Sequence, residues 1–204
     1  MEAAQADLVP RLGLGYTMND LSDARYPAFS ESTLTLRGDL TFSARKSRFE
    51  VALEGYTTAY VLSSTYLMRP QFGNVSGRLG YQVVAKPSWA IVLSSGWSYS
   101  MMRTEYYGYD NMPALLLRAA IQKKFTNRSL LTAFARYAPA YLYGEIAFFK
   151  SSELAAGIDL TFASSSRDTT RSAYVAVDIV NYSLLLTETH VTSKATSIVV
   201  GMRF

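Results

Sequence analysis

His190 is the only histidine in the chain, and its surroundings offer the one arrangement suited to nucleophilic catalysis. A serine nucleophile needs a base within hydrogen-bond reach and a third group that orients the base. Glu188 could orient His190, with Ser193 as the nucleophile of a lipid or peptide hydrolase. Nothing in the spacing demands this arrangement, and a lone loop histidine is usually just solvated. We therefore expect no catalytic residues and no enzyme, and the hydrolase ranks third among the functions considered.

The composition excludes several other kinds of site. The chain has no cysteine, so neither disulfides nor thiolate metal sites can form, and a single histidine cannot build a histidine cluster. We expect no metal and no cofactor. The net charge is only +4 and the basic residues are scattered, so the chain lacks the basic patch of a nucleic-acid-binding protein.

Charged residues of both signs share one face of alternating segments. They are Arg11, Arg37, Arg78, Arg118, Arg136 and Arg203, together with Asp39, Glu50, Glu54, Glu153, Asp159 and Asp178. One interpretation is a structural network, because an unpaired buried charge costs several kcal/mol. The other is the lining of a pore, since many residues between these charges are small. The sequence leaves both open.

Alternation with a period of two predicts the strands that carry these charges. We predict ten, over about 8–18, 33–44, 49–60, 72–85, 89–101, 114–125, 129–140, 153–163, 172–182 and 194–204. No apolar run approaches the roughly 20 residues of a membrane helix. The predicted strands exceed the usual five or six residues and match the roughly 9–11 of a tilted membrane strand.

The connections between these strands alternate in length. Those at 45–48, 86–88 and 126–128 are tight, and that at 164–171 is slightly longer. The five at 19–32, 61–71, 102–113, 141–152 and 183–193 all exceed ten residues. Short turns on one rim and long loops on the other are typical of bacterial outer-membrane barrels. We therefore predict a single all-β domain over 1–204, a transmembrane antiparallel up-and-down β-barrel of ten strands.

Aromatic residues on the apolar face distinguish this barrel from a soluble sandwich, which also alternates. Near the tight turns stand Phe42, Phe49, Trp89, Phe125, Phe162 and Phe204, which we predict to form a periplasmic girdle. Near the long loops stand Tyr16, Trp97, Tyr99, Tyr137 and Tyr141, which we predict to form an outer girdle. A soluble core would place large aromatics in mid-strand as readily as at the ends.

Both termini carry signals of export. Ala4-Gln5-Ala6 is typical of the end of a secretory signal that has been removed, and we expect residues 1–7 to be flexible. At the other end, Ile198, Val200, Met202 and Phe204 share one face of the last strand. With this terminal aromatic strand the chain resembles the Gram-negative outer-membrane β-barrel proteins.

The resemblance implies an outer-membrane location, lipids and lipopolysaccharide as surroundings, and recognition of Phe204 by the barrel-assembly machinery during insertion. An even number of strands puts both termini on the same side of the membrane, and we expect this side to be the periplasm. For function we expect a narrow channel for small polar solutes or ions. The alternative is a closed structural or surface-interaction barrel that binds a partner protein or lipopolysaccharide, and the third is a hydrolase at the barrel rim.

Overall fold

The computed structural model describes residues 6–23, 26–44, 47–59, 71–103, 108–126, 128–143, 146–148, 151–162, 171–185 and 190–204. The strands in this part of the chain are β1 (Ala6–Asp23), β2 (Tyr26–Ala44), β3 (Phe49–Ala59), β4 (Gln71–Ala85), β5 (Trp89–Arg103), β6 (Gly108–Lys124), β7 (Leu130–Ala138), β8 (Tyr141–Tyr143), β9 (Ile146–Phe148), β10 (Ser152–Thr161), β11 (Ser172–Leu185) and β12 (His190–Arg203). No helix among the described residues is long and apolar enough to cross a membrane.

Ten of these strands close into a ring. Each pairs antiparallel with the next along the chain, β7 pairs with β10, and β12 returns to pair with β1. The short strands β8 and β9 form a hairpin attached to β6. At the seam the backbone N–H of Phe204 donates to the carbonyl of Pro10 at 3.0 Å. The predicted ten-stranded antiparallel up-and-down barrel is confirmed.

The predicted long loops are wrong in three places. β1 and β2 continue to Asp23 and Tyr26, so most of 19–32 is strand, and 102–113 and 183–193 are shortened in the same way. Several outward residues there, such as Asp20, Ser22 and Thr192, are polar, so alternation fades, while strand pairing continues to satisfy the backbone. Segment 141–152 contains β8 and β9, and 60–70 lies outside the described residues.

The N-terminal segment also differs from expectation. Residues 1–5 lie outside the described part of the chain, but Ala6 and Asp7 belong to β1 and pair with Ala44 and Ser43. The prediction of a flexible segment is therefore wrong for these two residues, because they complete the ladder between β1 and β2. We call this rim, where both ends of the chain and the tight turns lie, the turn end, and the opposite rim the loop end.

Side chains alternate between the outside and the lumen along most of each strand, with register shifts at Leu21/Asp23, Gln82/Val84 and Ser100/Met102. Ile198 is 55% exposed, whereas the next residue, Val199, is 1% exposed. The outward face carries a continuous apolar band that includes Leu12, Leu14, Leu36, Val51, Leu53, Val75, Leu79, Leu93, Leu117, Ile121, Leu154, Ile158, Val177, Val200 and Met202. A water-soluble monomer rarely exposes so large an apolar surface. A closed ring satisfies the backbone groups without water, so this band faces lipid.

Candidate functional site

The lumen is crossed by ion pairs between strands that are not neighbours. Arg11 on β1 pairs with Asp159 on β10, and Arg37 Nη1 on β2 lies 3.0 Å from Asp178 Oδ1 on β11. Arg11 Nε also lies 3.4 Å from Asp39 Oδ2 on the adjacent strand. These contacts tie opposite walls of the barrel together.

Two further ion pairs join neighbouring strands. Arg78 on β4 pairs with Glu54 on β3, and Arg136 Nη2 on β7 lies 2.5 Å from Glu153 Oε1 on β10. Glu153 is fully buried. Burying a carboxylate is costly unless a cation compensates its charge. Loss of Arg136 should therefore destabilise the folded barrel.

The remaining three residues of the predicted charge network make no ion pair within the described part of the chain. The Arg118 guanidinium lies over the ring of Phe134, 4.7 Å from its centroid. Glu50 packs against Gly80 on β4, and Arg203 lies opposite Arg11 in the β1–β12 ladder. The structure thus divides the network into paired residues and three that face the lumen separately.

The loop-end half of the lumen contains an apolar cluster beside buried polar side chains such as Asn19, Asn74 and Ser100. Phe72, Met102, Leu116, Leu184 and Val191 are all buried there. The cluster as a whole comprises Leu21, Phe72, Met102, Met112, Ala114, Ala138, Ala155, Val180, Tyr182, Leu184, Val191 and Ala195, with Tyr56 packed against it. The hydroxyls of Tyr56 and Tyr182 lie 2.8 Å apart. A uniformly polar inner face, the basis for expecting a channel, is therefore absent from this half.

Two cavities inside the barrel are lined by described residues. The larger, of about 240 Å³, lies at the turn end and is lined by charged residues; we call it the vestibule. The smaller, of about 30 Å³, lies at mid-height and has room for roughly one water molecule. Arg37, Glu54 and Phe134 line both cavities and separate them.

Small inward residues leave space in the lumen for large neighbouring side chains. A Cβ atom on Gly13 would lie 2.3 Å from the Tyr174 hydroxyl, and one on Gly157 would lie 2.7 Å from Phe134 Cζ. Tyr174 in turn lies beneath the Arg11 guanidinium, 4.0 Å from its ring centroid. These glycines make room for side chains that fill the lumen rather than for a water-filled path.

The arrangement considered for a hydrolase is not formed. His190 points outward and its Nε2 lies 2.8 Å from Ser183 Oγ, while Ser193 is buried and points into the lumen. Residues three apart on a strand face opposite sides, so His190 cannot activate Ser193. Glu188 lies outside the described residues. Within the described part, no three metal-ligating side chains are grouped.

The aromatic residues predicted as girdles lie on the outer face. Phe42, Phe49, Phe125, Phe162 and Phe204 are exposed at the turn end, and Trp89 is partly exposed there. Tyr16, Trp97, Tyr99 and Tyr137 are exposed further toward the loop end, and the side chain of Tyr141 lies outside the described part.

Tyr81 was absent from the predicted turn-end set. It lies opposite Phe49 in the β3–β4 ladder, with ring centroids 4.9 Å apart. Tyr81 lies inside the fourth predicted strand rather than at its end, so the sequence does not show that it is close to Phe49. The strand register shows it.

Comparison with known proteins bears on the fold. No family model matches the sequence, and neither does any curated protein. Among solved structures, Ail, the attachment invasion locus protein of Yersinia pestis, is 12% identical, with a TM-score of 0.37 over 96% of this chain and 98% of that one. The Pseudomonas putida toluene transporter TodX is 9% identical, with a TM-score of 0.39 over 96% and 89%. The KdgM porin, solved with disordered oligogalacturonate, is 11% identical, with a TM-score of 0.40 over 97% and 98%.

Similarity at this level concerns the barrel fold alone and carries no argument about function. The location follows from physical features of the chain itself. A closed antiparallel ring of an even number of strands, with an apolar outer band and a charged lumen, is the spanning structure of bacterial outer membranes. The chain is an outer-membrane β-barrel.

Proposed function

We propose that the protein is a closed, non-conducting barrel that acts through its outer surface at the loop end. The observation that carries this proposal is the apolar packing in the loop-end half of the lumen. Phe72 is 4% exposed, and Met102 and Leu116 are each 1% exposed. Water and ions would have to displace these side chains to pass.

The packing at mid-height supports the same conclusion. A ten-stranded barrel is only slightly wider than the eight-stranded ones that side chains just fill. Here Arg37–Asp178 and Tyr56–Tyr182 bridge the lumen, and the central cavity holds roughly one water molecule. The balanced charges serve the stability of the barrel rather than the passage of solutes.

The proposed working surface is a groove at the loop end of β1, β2, β11 and β12, whose accessible lining is mostly apolar with polar groups along it. It encloses about 530 Å³ and is lined by the outward residues Asp20, Ser22, Ala28, Ser30, Asn181, Ser183, Thr192 and Lys194, together with the buried residues Leu21, Tyr182 and Ser193. The groove lies next to the apolar band, on its loop-end side. Ile198 of the band and Lys194 of the groove are both outward residues of β12. The groove therefore lies where lipid tails give way to headgroups.

Lipopolysaccharide headgroups are the proposed occupant. Short turns of outer-membrane barrels lie in the periplasm, and on that basis we propose that the termini lie there and the loop end in the outer leaflet. Lys194 offers an ammonium group to a phosphate, and the hydroxyls and amide of Ser22, Asn181 and Thr192 offer hydrogen bonds to sugars.

Solute permeability of proteoliposomes tests the closed lumen. We expect vesicles containing the purified protein to be as impermeable to small neutral sugars as empty vesicles. A triple variant, Phe72→Ala, Met102→Ala and Leu116→Ala, should become permeable if it remains folded, which shows that the assay detects an opened barrel. Permeability of the wild-type vesicles that scales with protein content would overturn the proposal.

Retention of lipopolysaccharide tests the groove. Native mass spectrometry of protein extracted from outer membranes should detect bound lipopolysaccharide on the wild type and less of it on Lys194→Gln. Lys123→Gln is the matched control, because Lys123 is an exposed lysine at the turn end. Equal retention by both variants, or recovery of a stoichiometric protein partner instead, would contradict lipopolysaccharide as the occupant.

A narrow channel is the second candidate, and the vestibule is the observation that favours it. Its charged lining could admit ions from the turn end as far as Phe134. Passage would then require the apolar cluster to open. The permeability assay distinguishes the two functions, since a gated channel would leak under at least some conditions of pH or membrane potential.

The barrel-assembly machinery is the proposed partner during insertion, with Phe204 as the recognised residue. Its exposed ring at the end of the seam strand supports this proposal. Removing Phe204 should lower the amount of folded protein in outer membranes. Unassisted refolding in detergent, which needs no machinery, should be affected much less.

A further inference from the structure

The vestibule holds an excess of cationic groups. Five arginines and four carboxylates line it, and most of them belong to the ion pairs described above. Arg118, Arg203 and Glu50 remain, so two cations face one anion. Arg203 stands near the rim, opposite Arg11, and Arg118 lies deeper, next to Phe134.

Arg118 has an unusual environment for a lumenal arginine. The Phe134 ring lies against its guanidinium; Glu54 and Glu50 attract Arg118 electrostatically, but no described carboxylate forms an ion pair with it. In the β6–β7 ladder it stands directly opposite Arg136, and like charges in that relation repel each other. An anion beside Arg118 would relieve this repulsion.

A second arginine points to the same place. Arg78 is 8% exposed, lines the vestibule, and its Nε makes no hydrogen bond to any described residue. An unsatisfied buried donor destabilises the protein, so an acceptor beside it would be favourable. Arg78 pairs with Glu54 through Nη1, so Nε remains available to a second acceptor.

We propose that the vestibule is a binding site for a small oxyanion such as phosphate, held by Arg118 and Arg78 and reached from the turn end. The planar guanidinium presents paired donors that match the oxygens of phosphate or carboxylate. A cavity of about 240 Å³ accommodates such an anion with several waters. The lumen is then a receptacle closed at Phe134.

Isothermal titration calorimetry of the folded, detergent-solubilised protein tests this site, with inorganic phosphate as the probe. We expect saturable binding to one site, competition by sulfate, and no comparable signal from sodium chloride at equal ionic strength. Arg118→Gln should weaken binding by about tenfold or more, because a charge-assisted hydrogen bond is lost. Arg171→Gln, which removes an exposed cation at the turn end outside the vestibule, should leave the affinity unchanged.

Two outcomes would overturn the proposal. The first is absence of saturable phosphate binding by the wild type, which is decisive whether or not the variants fold. The second is an equal loss of affinity in Arg118→Gln and Arg171→Gln, which would mean that phosphate responds to net charge alone. Arg118→Lys retains the cation, so it provides a milder variant that should fold and bind phosphate more weakly than the wild type does.

Discussion

The hydroxyls of Tyr56 and Tyr182 meet at 2.8 Å across the lumen, although three strands separate β3 from β11 along the shorter path around the ring. Tyr182 belongs to the apolar cluster and stands opposite Glu153 in the β10–β11 ladder. Together with Arg37–Asp178 and Arg11–Asp159 the Tyr56–Tyr182 contact forms a series of side-chain contacts across the lumen, from the loop end toward the turn end. We call each of these contacts a crossbar.

Removing one hydroxyl should measure the strength of this crossbar. Tyr56→Phe loses a single hydrogen bond while keeping the ring, so we expect the free energy of unfolding to fall by about 1 kcal/mol. Urea titration of the protein folded into lipid bilayers gives this value. Tyr137→Phe removes an exposed outward hydroxyl and should change nothing; equal effects of the two substitutions would show that the crossbar adds no stability.

The Arg136–Glu153 pair should be the most costly ion pair to break. Arg136→Gln deprives the fully buried Glu153 of its guanidinium, and loss of one partner of a buried pair typically costs about 3–5 kcal/mol. Replacing both residues, with Arg136→Met and Glu153→Leu, should recover much of that loss. The same bilayer titrations give the coupling energy, and additive single effects would mean that the two side chains do not interact.

Replacing a glycine of the barrel wall with alanine should destabilise the barrel more, the closer the neighbouring atoms lie to the added Cβ atom. Gly157→Ala places a Cβ atom 2.7 Å from Phe134 Cζ and 2.8 Å from Asp178 Cβ, so we expect a loss of about 1–3 kcal/mol. Phe134→Leu should partly restore stability. At Gly38, which lies on the outward face of β2, the nearest atom would be 3.9 Å away, and Gly38→Ala should be close to neutral. A neutral Gly157→Ala would show that the lumen is looser than described.

A charge in the middle of the apolar band tests the position of the membrane. Val200→Arg should destabilise the folded barrel by about 2–4 kcal/mol, the cost of arginine at the bilayer midplane. Asn181→Arg, in the loop-end groove, should cost only about 0–1 kcal/mol because it lies near the interface. Folding free energies in phosphatidylcholine bilayers provide the comparison, and a larger effect at Asn181 would require the band to be moved toward the loop end.

The sequence predicts the strands and their faces well because lipid on one side and a lumen on the other impose the same period of two on every strand. It fails where both faces are apolar. In Ala114–Leu117 and at Met101-Met102 no alternation marks the inward residue, so the apolar cluster around Met102 and Leu116 goes unrecognised. The loop-end extensions are missed for a related reason, since polar outward residues hide continued pairing.

The partners of the charged residues are not predictable in the same way. Arg37 and Asp178 meet because strand tilt and stagger bring β2 and β11 to the same height on opposite walls, and pattern alone does not determine the stagger. The separation of His190 from Ser193 was accessible in principle, because three residues along a strand reverse the face. It required recognising that segment as strand rather than loop.

Single-channel recording in planar lipid bilayers tests the closed lumen most directly. Purified wild-type protein, with folding and insertion verified, should produce no stepwise conductance above that of the bare bilayer in concentrated potassium chloride. The triple variant at Phe72, Met102 and Leu116 should produce steps under the same conditions. Reproducible steps from the wild type, scaling with the number of inserted barrels, would contradict the closed lumen and establish the channel instead.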